Sequence, residues 1–365
     1  MDVARELNAV LVVNAGSSSV KLRRIEGDDA TAAVDLDAPA GLFDEDELAA
    51  AVEEMGVVDA VGHRIVHGGA RFIAPVVIDD DVVAAIAALG DLAPLHQPHG
   101  VAAMSAVGRI RPEVPAVACF DTAFHATLPA AASTYALPAL WRARWPLRRF
   151  GFHGLSHAWA SRRVAELCGD PDGLRVVSCH LGAGASLAAV VDGRSVDTTM
   201  GFTPLAGLVM ATRAGDVDPG LVLWLLRSGG LGAVEVAEGL ERGAGLVGLA
   251  GTPDMREVLA RTDADAALAL EVYVHSLCGH VASMVAAMEG IDALVFTGGV
   301  GERAAPVRAT AVAHLSWLGV DIDLAANAHA EPDVEITAAE GRVRTFVVRA
   351  REDLEIARGV RSALA

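Results

Sequence analysis

Val13-Asn14-Ala15-Gly16-Ser17-Ser18-Ser19-Val20-Lys21 stands directly behind one hydrophobic run, Ala9 to Val13, and leads into another, Val20 to Ile25. The runs read as a buried strand and its return, with glycine and small hydroxyl residues in the turn between them. Such a turn lets backbone N–H groups converge on an anion, and a compact ammonium meets phosphate as a point charge. Lys21 is the chain's single lysine; the rest of its 29 lysine-plus-arginine residues are arginine. A tight hairpin whose serines bond only their own backbone fits this segment equally well.

Working outward, the same arrangement recurs. Arg175 to Cys179 reads as a strand, His180-Leu181-Gly182-Ala183-Gly184-Ala185-Ser186 as a glycine-rich turn and Leu187 to Val191 as the return, with an Asp192-Gly193 hairpin before Arg194 to Thr198. A third unit differs. Ala293 to Thr297 is expected as a strand and Gly298 to Glu302 as a loop, while Pro306 suits the first turn of a helix buried along Val307, Ala311, Leu315 and Leu318. No segment matches the GxxxxGK[ST] phosphate loop, and none places GxGxxG in a convincing dinucleotide-binding context. Two turn-bearing halves imply an α/β chain that clamps a nucleotide in a cleft between duplicated lobes, the logic of the actin and hexokinase class.

The length, 365 residues, exceeds one ordinary core and suits two lobes. A formal net charge of −18 argues against nucleic acid or an anionic membrane as a partner, while leaving small anions as ligands. Cys119, Cys168, Cys179 and Cys278 show no CxxC spacing, and no signal peptide is expected, so reduced thiols in a cytoplasm fit best. The apolar stretch Ala266 to Met288 is interrupted by Glu271, His275, Gly279 and His280. A central charge costs a membrane span roughly 2.5–3.5 kcal/mol, so a helix in a core or subunit interface is expected there.

Eight of the 12 histidines lie between His63 and His180, often beside glycine, proline or arginine, which suggests a polar cleft. No HExxH or finger spacing supports zinc, and many of these rings are expected to hydrogen-bond loop carbonyls. Asp121 follows the apolar run Val114 to Cys119, where a carboxylate can orient a nucleophile, help hold Mg²⁺ through water, or cap a helix. Arg213, in Ala211-Thr212-Arg213-Ala214-Gly215-Asp216-Val217-Asp218-Pro219, suits a carboxylate or a planar phosphoryl group. An ion pair from Arg213 to Asp216 or Asp218 is the structural alternative.

Together these segments resemble the acetate kinase family of the ASKHA superfamily. The resemblance rests on NAGSSSVK (14–21), GHRIVHGG (62–69), LAPLHQP (92–98), FDTAFH (120–125), RRFGFHGLSH (148–157), SVDTTMGFTPLAGLVMATRAGDVDP (195–219) and FTGGVGE (296–302). It implies a two-lobed, duplicated ribonuclease-H-like fold with an interlobe active-site cleft. From the chain's own punctuation the lobes are expected at 1–148 plus about 345–365, and a nucleotide-binding and dimerisation lobe at 149–344. The activity implied is reversible, Mg²⁺-dependent transfer of the ATP γ-phosphoryl group to acetate in a cytoplasmic homodimer, with Mn²⁺ as a substitute metal. By position, Arg64 and Arg213 would bind the carboxylate and the phosphoryl group, and His153 would donate to an equatorial oxygen. Asp121 would organise the acceptor or metal waters, and Asn14 and Glu352 would complete the magnesium environment. Ser17, Ser19 and Lys21 would line the phosphate path, with His180, Gly182, Gly184, Gly299, Val300, Gly301 and Arg303 around the nucleotide. Val66, Leu95, Phe152 and Pro204 would form the acyl pocket, with His96 also binding the substrate.

Two departures bear on the donor. Ala183 and Arg303 stand where the family pattern has asparagines, which opens pyrophosphate as a rival to ATP. Propionate or butyrate kinase is the rival for the acceptor, since each methylene changes discrimination by only about 1–3 kcal/mol. A non-catalytic ASKHA-type sensor of nucleotide or acyl phosphate is the rival of another class. The presence of Asn14, Arg64, Asp121, His153, Arg213 and Glu352 speaks against it, because a sensor needs no transition-state donors.

Overall fold

The computed structural model describes residues 7–16, 19–94 and 96–365. Ser17 and Leu95 lie outside the described residues. The chain forms two compact units, one from residues 1–126, 152–159 and 351–365, the other from 127–151 and 160–350. The chain therefore changes unit at 126/127, 151/152, 159/160 and 350/351, whereas the sequence suggested crossings at 148/149 and about 345. Residues 152–159 belong with the first unit because Leu155 and Trp159 pack into its core.

The first unit is built on β1 (Ala9–Ala15), β2 (Ser19–Glu26), β3 (Asp29–Asp37), β4 (Ala60–Ile65), β5 (Val76–Val77) and β6 (Ala116–Phe120), in the order β3-β2-β1-β4-β6-β5. β1, β4 and β6 run parallel, while β2, β3 and β5 are antiparallel to their neighbours. A parallel centre needs cover on both faces, and this is why β1 reads as an unbroken apolar run. On one face Leu11, Val13 and Val61 pack with Leu48, Val52, Ala103 and Val107, from the helices Glu45–Glu54 and Gln97–Ile110. On the other, Val10, Val12, Ala60, Val117 and Cys119 meet Leu354, Ile356, Ala357 and Val360 of the helix Glu352–Leu364. Each fully buried aliphatic side chain contributes about 1.5–3 kcal/mol, so this returning helix is anchored as firmly as the strands beneath it. Gly62 permits that approach, since a Cβ there would stand 2.6 Å from Ile356 Cγ2 and 2.7 Å from Val360 Cγ2.

The second unit repeats the plan. Its strands are β7 (Arg175–Leu181), β8 (Ala185–Val191), β9 (Arg194–Thr198), β10 (Ala293–Thr297), β11 (Val334–Glu335) and β12 (Arg344–Val347), ordered β11-β12-β10-β7-β8-β9. Read from the antiparallel edge, β9-β8-β7-β10-β12-β11 corresponds to β3-β2-β1-β4-β6-β5 strand for strand. The Asp192-Gly193 hairpin between β8 and β9 has both residues at positive φ, 48° and 71°, the geometry of a type I′ turn. The stretch weighed as a membrane span is the helix Ala264–Ala287. It buries Ala266, Ala269, Tyr273, Val274, Leu277, Val281 and Met284, a helical stripe that packs against β8 and the helices Gly245–Ala250 and Ala305–Leu315.

Candidate active site

The alternation of the first sheet builds one half of the site. In a strand, residues i, i+2 and i+4 share a face, and on the face covered by the C-terminal helix three parallel strands end alike. Val10 and Val12 give way to Asn14, Ala60 and Gly62 to Arg64, and Val117 and Cys119 to Asp121, just past the end of β6. The apolar interior thus stops at one level, and amide, guanidinium and carboxylate meet beyond it. In open α/β sheets ligands bind at these carboxyl ends.

Arg64 is the centre of this cluster. Its Nε donates to Asp121 Oδ1 at 3.0 Å, its Nη2 to Asp121 Oδ2 at 2.6 Å and its Nη1 to Asn14 Oδ1 at 3.2 Å. Glu352 Oε2, at the start of the C-terminal helix, stands 3.8 Å from Arg64 Nε. Burial works against the Arg64 charge, but the Asp121 and Glu352 carboxylates outweigh it and hold the guanidinium above its ordinary pKa. The Asp121 carboxyl is pushed up by burial and by Glu352, while Arg64 and the His153 backbone N–H draw it back. Three of the five guanidinium N–H groups are thereby used, which leaves one on Nη1 and one on Nη2 for an anion.

His153 is held in strained backbone geometry. Its φ is 54°, in the left-handed region that a non-glycine residue enters at a cost of about 1–3 kcal/mol. Gly154 makes the approach possible: its N–H donates to the Asp121 carbonyl at 2.9 Å, and a Cβ would collide with that oxygen. Sequence reasoning missed the residues that brace these loops. Gln97 accepts from the His67 N–H at 3.1 Å and donates to the His67 carbonyl at 2.9 Å. Thr122 Oγ1 accepts from the Gly68 N–H at 3.0 Å. Both lie inside quoted motifs, but nothing local marks them as braces. Phe152 and Val66 are buried, and the Phe152 ring stands edge-on to His67 with centroids 5.4 Å apart. His96 is half-buried, immediately ahead of the helix Gln97–Ile110.

The clustered histidines are largely interior. His63, His67, His125 and His157 are buried, and His125 Nε2 lies 3.0 Å from the Phe152 carbonyl, as expected of a loop-bracing ring. Burial lowers the His63 and His125 pKa values to about 4, which keeps both neutral. Among the described residues no three His, Cys, Asp or Glu groups are placed to hold a metal by themselves. Mg²⁺ ordinarily keeps water and substrate-phosphate ligands beside one or two carboxylates. The Glu352 carboxylate fits that use, since among the described residues it makes no hydrogen bond and only the 3.8 Å contact to Arg64. Lys21 is exposed on β2, in register with Asn14, and Ser19 opens the same strand.

The second unit ends its parallel strands differently. His180 and Thr297 are in register at the ends of β7 and β10. The turn after β7 is closed by the Gly182 N–H donating to the Gly184 carbonyl at 3.0 Å, much as Gly16 donates to the Ser19 carbonyl at 2.9 Å in the first unit. Gly298 to Glu302, expected as a loop, is a short helix, Gly298–Arg303, so Gly299, Val300, Gly301 and Arg303 are helical residues. The reason is Gly298 itself: at φ 78° it turns the chain straight from strand to helix, where a Cβ would stand 2.8 Å from the Leu181 carbonyl oxygen. Arg303 is exposed and has no hydrogen-bond partner among the described residues.

Arg213 sits in a loop tied to that glycine turn. The Ala211 N–H donates to the Ala183 carbonyl at 3.1 Å. The Arg213 side chain touches Pro204 O at 3.3 Å and Met210 Sδ at 3.7 Å, so two expected site residues meet. Neither expected ion pair forms: Asp216 bonds Gly207 N–H and His280, and Asp218 accepts from the Gly220 N–H. With no carboxylate in contact among the described residues, burial lowers the Arg213 pKa, against a weaker pull upward from Glu241. A desolvated guanidinium without a counter-ion is poised for an anionic ligand.

Two sheets of one topology, each ending its parallel strands in polar or glycine-rich loops, define the duplicated ASKHA fold of the actin and hexokinase class. The chain matches the model of the acetokinase family over residues 40–358, and it belongs to that family. Acetate kinase of Deinococcus deserti is 48% identical over 315 residues, covering 84% of this chain and 79% of that relative. The crystal structure of Porphyromonas gingivalis acetate kinase superposes with a TM-score of 0.89 at 32% identity, covering 98% of this chain and 100% of that one. A propionate kinase from Francisella tularensis gives 0.87 at 35% identity, covering 97% and 99%.

Proposed function

We infer that the protein is an acetate kinase, transferring the γ-phosphoryl group of ATP reversibly and in line to acetate to give acetyl phosphate and ADP. The observation that carries this reading is Arg64, pinned by Asp121 and Asn14 with N–H groups to spare at the carboxyl ends of three parallel strands. Phosphoryl transfer asks a protein for alignment and for neutralisation of equatorial charge rather than covalent chemistry. Arg64 and Arg213 would hold the acceptor carboxylate and the phosphoryl oxygens, and His153 would donate to an equatorial oxygen. Acetate is already ionised at neutral pH and needs no base. Asp121 accepts two N–H groups from Arg64 and is an organiser rather than a base. Mg²⁺ held through water by Asn14 and Glu352 would neutralise the donor phosphates. Ser19, Lys21, His180, Gly182, Gly184 and Gly299 to Arg303 would follow the nucleotide.

The likeness to a propionate kinase supports a second reading in which the acyl group that would meet Val66 and Phe152 has three carbons as well. A second copy of the chain is the proposed partner, because the helix Pro219–Arg227 buries none of its residues and exposes Leu221, Leu223, Trp224 and Leu226. The cytoplasm is the proposed location, in keeping with four free cysteines whose thiols burial pushes up. Trapping the acyl phosphate as a hydroxamate, with acetate, propionate and butyrate against ATP, GTP and pyrophosphate, tests the activity. Acetate with ATP and Mg²⁺ is expected to give the largest kcat/KM; no product from any pair would leave a binding role instead.

A further inference from the structure

The loop bearing Arg213 is closed at its base by one side chain. Asp216 Oδ1 accepts from the Gly207 N–H at 2.7 Å, while the Asp216 N–H donates to the Gly207 carbonyl at 2.9 Å. At the tip the Met210 N–H donates to the Arg213 carbonyl at 3.1 Å. Gly215, at φ 76°, lets the two arms touch, for a Cβ there would stand 2.5 Å from the Leu208 carbonyl oxygen. The other carboxylate oxygen, Asp216 Oδ2, faces His280 Nε2 at 3.2 Å across to the helix Ala264–Ala287.

His280 must be charged to make this contact. Its Nδ1 lies 2.8 Å from the Ser276 carbonyl, and its Nε2 faces a carboxylate. Both partners only accept, so both ring nitrogens must donate, and only the imidazolium does that. The pair borders a cavity of about 560 Å³, lined also by Arg149, Asp197 and His275. These are the charged and titratable groups that face it. Arg149 is fixed by its Nη1 on the carbonyls of Thr198, Thr199 and Met200, at 3.0, 2.9 and 3.2 Å.

We propose that Asp216 and His280 are positioning residues for Arg213: the Asp216 carboxylate staples the arms of the 207–216 loop together and to the helix behind it, which sets where the guanidinium stands. The proposal rests on the reading of Arg213 as a group that meets the transferring phosphoryl. It carries a pH signature. Hydrogen bonding to Asp216 raises the His280 pKa above its ordinary value, against burial, so the charged staple is complete below that pKa and loses a bond as pH rises through it.

The test is a double-mutant cycle with turnover measured across pH. Asp216→Ala is expected to lower kcat by about 10- to 100-fold through misplacement, with a smaller change in KM for ATP. Asp216→Asn, which can still accept from Gly207, should fall between it and the parent enzyme. His280→Gln should remove a basic-side fall in turnover that the parent shows. In an Arg213→Ala background, Asp216→Ala should cost nothing further, since there is no guanidinium left to position. A folded Asp216→Ala protein with parental kcat, or an equal further loss without Arg213, would overturn the proposal. Parental activity in Arg213→Ala alone would instead sink the reading of Arg213. If Asp216→Ala does not fold, His280→Gln keeps the Gly207 bond and carries the same cycle with the same outcomes.

Discussion

The two sheets share one strand order, yet they finish in different chemistry. β1, β4 and β6 end in an amide, a guanidinium and a carboxylate, whereas β7 and β10 end in a histidine, a threonine and glycine-rich turns. One end concentrates side-chain charge, and the other presents glycine backbone. The topology supplies a rim in both cases, and the residues that follow the last apolar pair decide its use. The arginines differ in the same way. Arg64 is locked into a bidentate carboxylate pair, while among the described residues Arg213 touches only a carbonyl and a thioether.

The largest effect that would sharpen this contrast is expected from Arg64→Ala. Turnover should fall by about 10²–10³ on loss of a charge-stabilising donor. The protein should also lose about 3–5 kcal/mol of stability, because Asp121 is left as a buried, unpaired carboxylate. Urea melts beside turnover measure both losses, and an unchanged melt would mean that water reaches Asp121. Arg213→Ala should lose turnover on a similar scale but hold its thermal midpoint, having no buried counter-ion to orphan. A collapsed midpoint in that variant would erase the distinction between the two arginines.

A smaller effect is expected at the other rim. Gly298→Ala forces a Cβ into the left-handed region against the Leu181 carbonyl, at a cost of about 1–3 kcal/mol, and should weaken ATP more than acetate. Steady-state KM values for both substrates would show it, and a matched rise in both would deny the nucleotide role. Smallest is Ala183→Asn. A hydrogen bond to a charged group is worth about 1.5–3 kcal/mol, of which an exposed site keeps a fraction, so ATP should bind somewhat more tightly. Activity with pyrophosphate alone would point to Arg303 as having remade the donor site.

Local patterning made much of this readable. Apolar runs flanking Gly-Ser and Gly-Ala turns announced β1–β2 and β7–β8, and Pro306 marked the helix Ala305–Leu315. The reading of Gly298 to Glu302 as a loop failed because glycines signal both a turn and a tight strand-to-helix junction; which one forms depends on the Leu181 backbone nearby. His153 carried no sign of its positive φ, since that conformation is imposed by Asp121 and Gly154 rather than by its own side chain.

By itself, the sequence determined the duplicated strand–turn–strand units and the family, and it singled out Arg64, Asp121, His153 and Arg213 as candidates, because these readings depend on neighbours along the chain. The tertiary structure decided that Asn14, Arg64, Asp121 and Glu352 form one cluster, and that Asp216 reaches back to Gly207 and across to His280. Those contacts depend on the parallel register of β1, β4 and β6 and on helices packed from far along the chain. Register is fixed by hydrogen bonding and burial summed over whole sheets, and no local stretch of residues carries that sum.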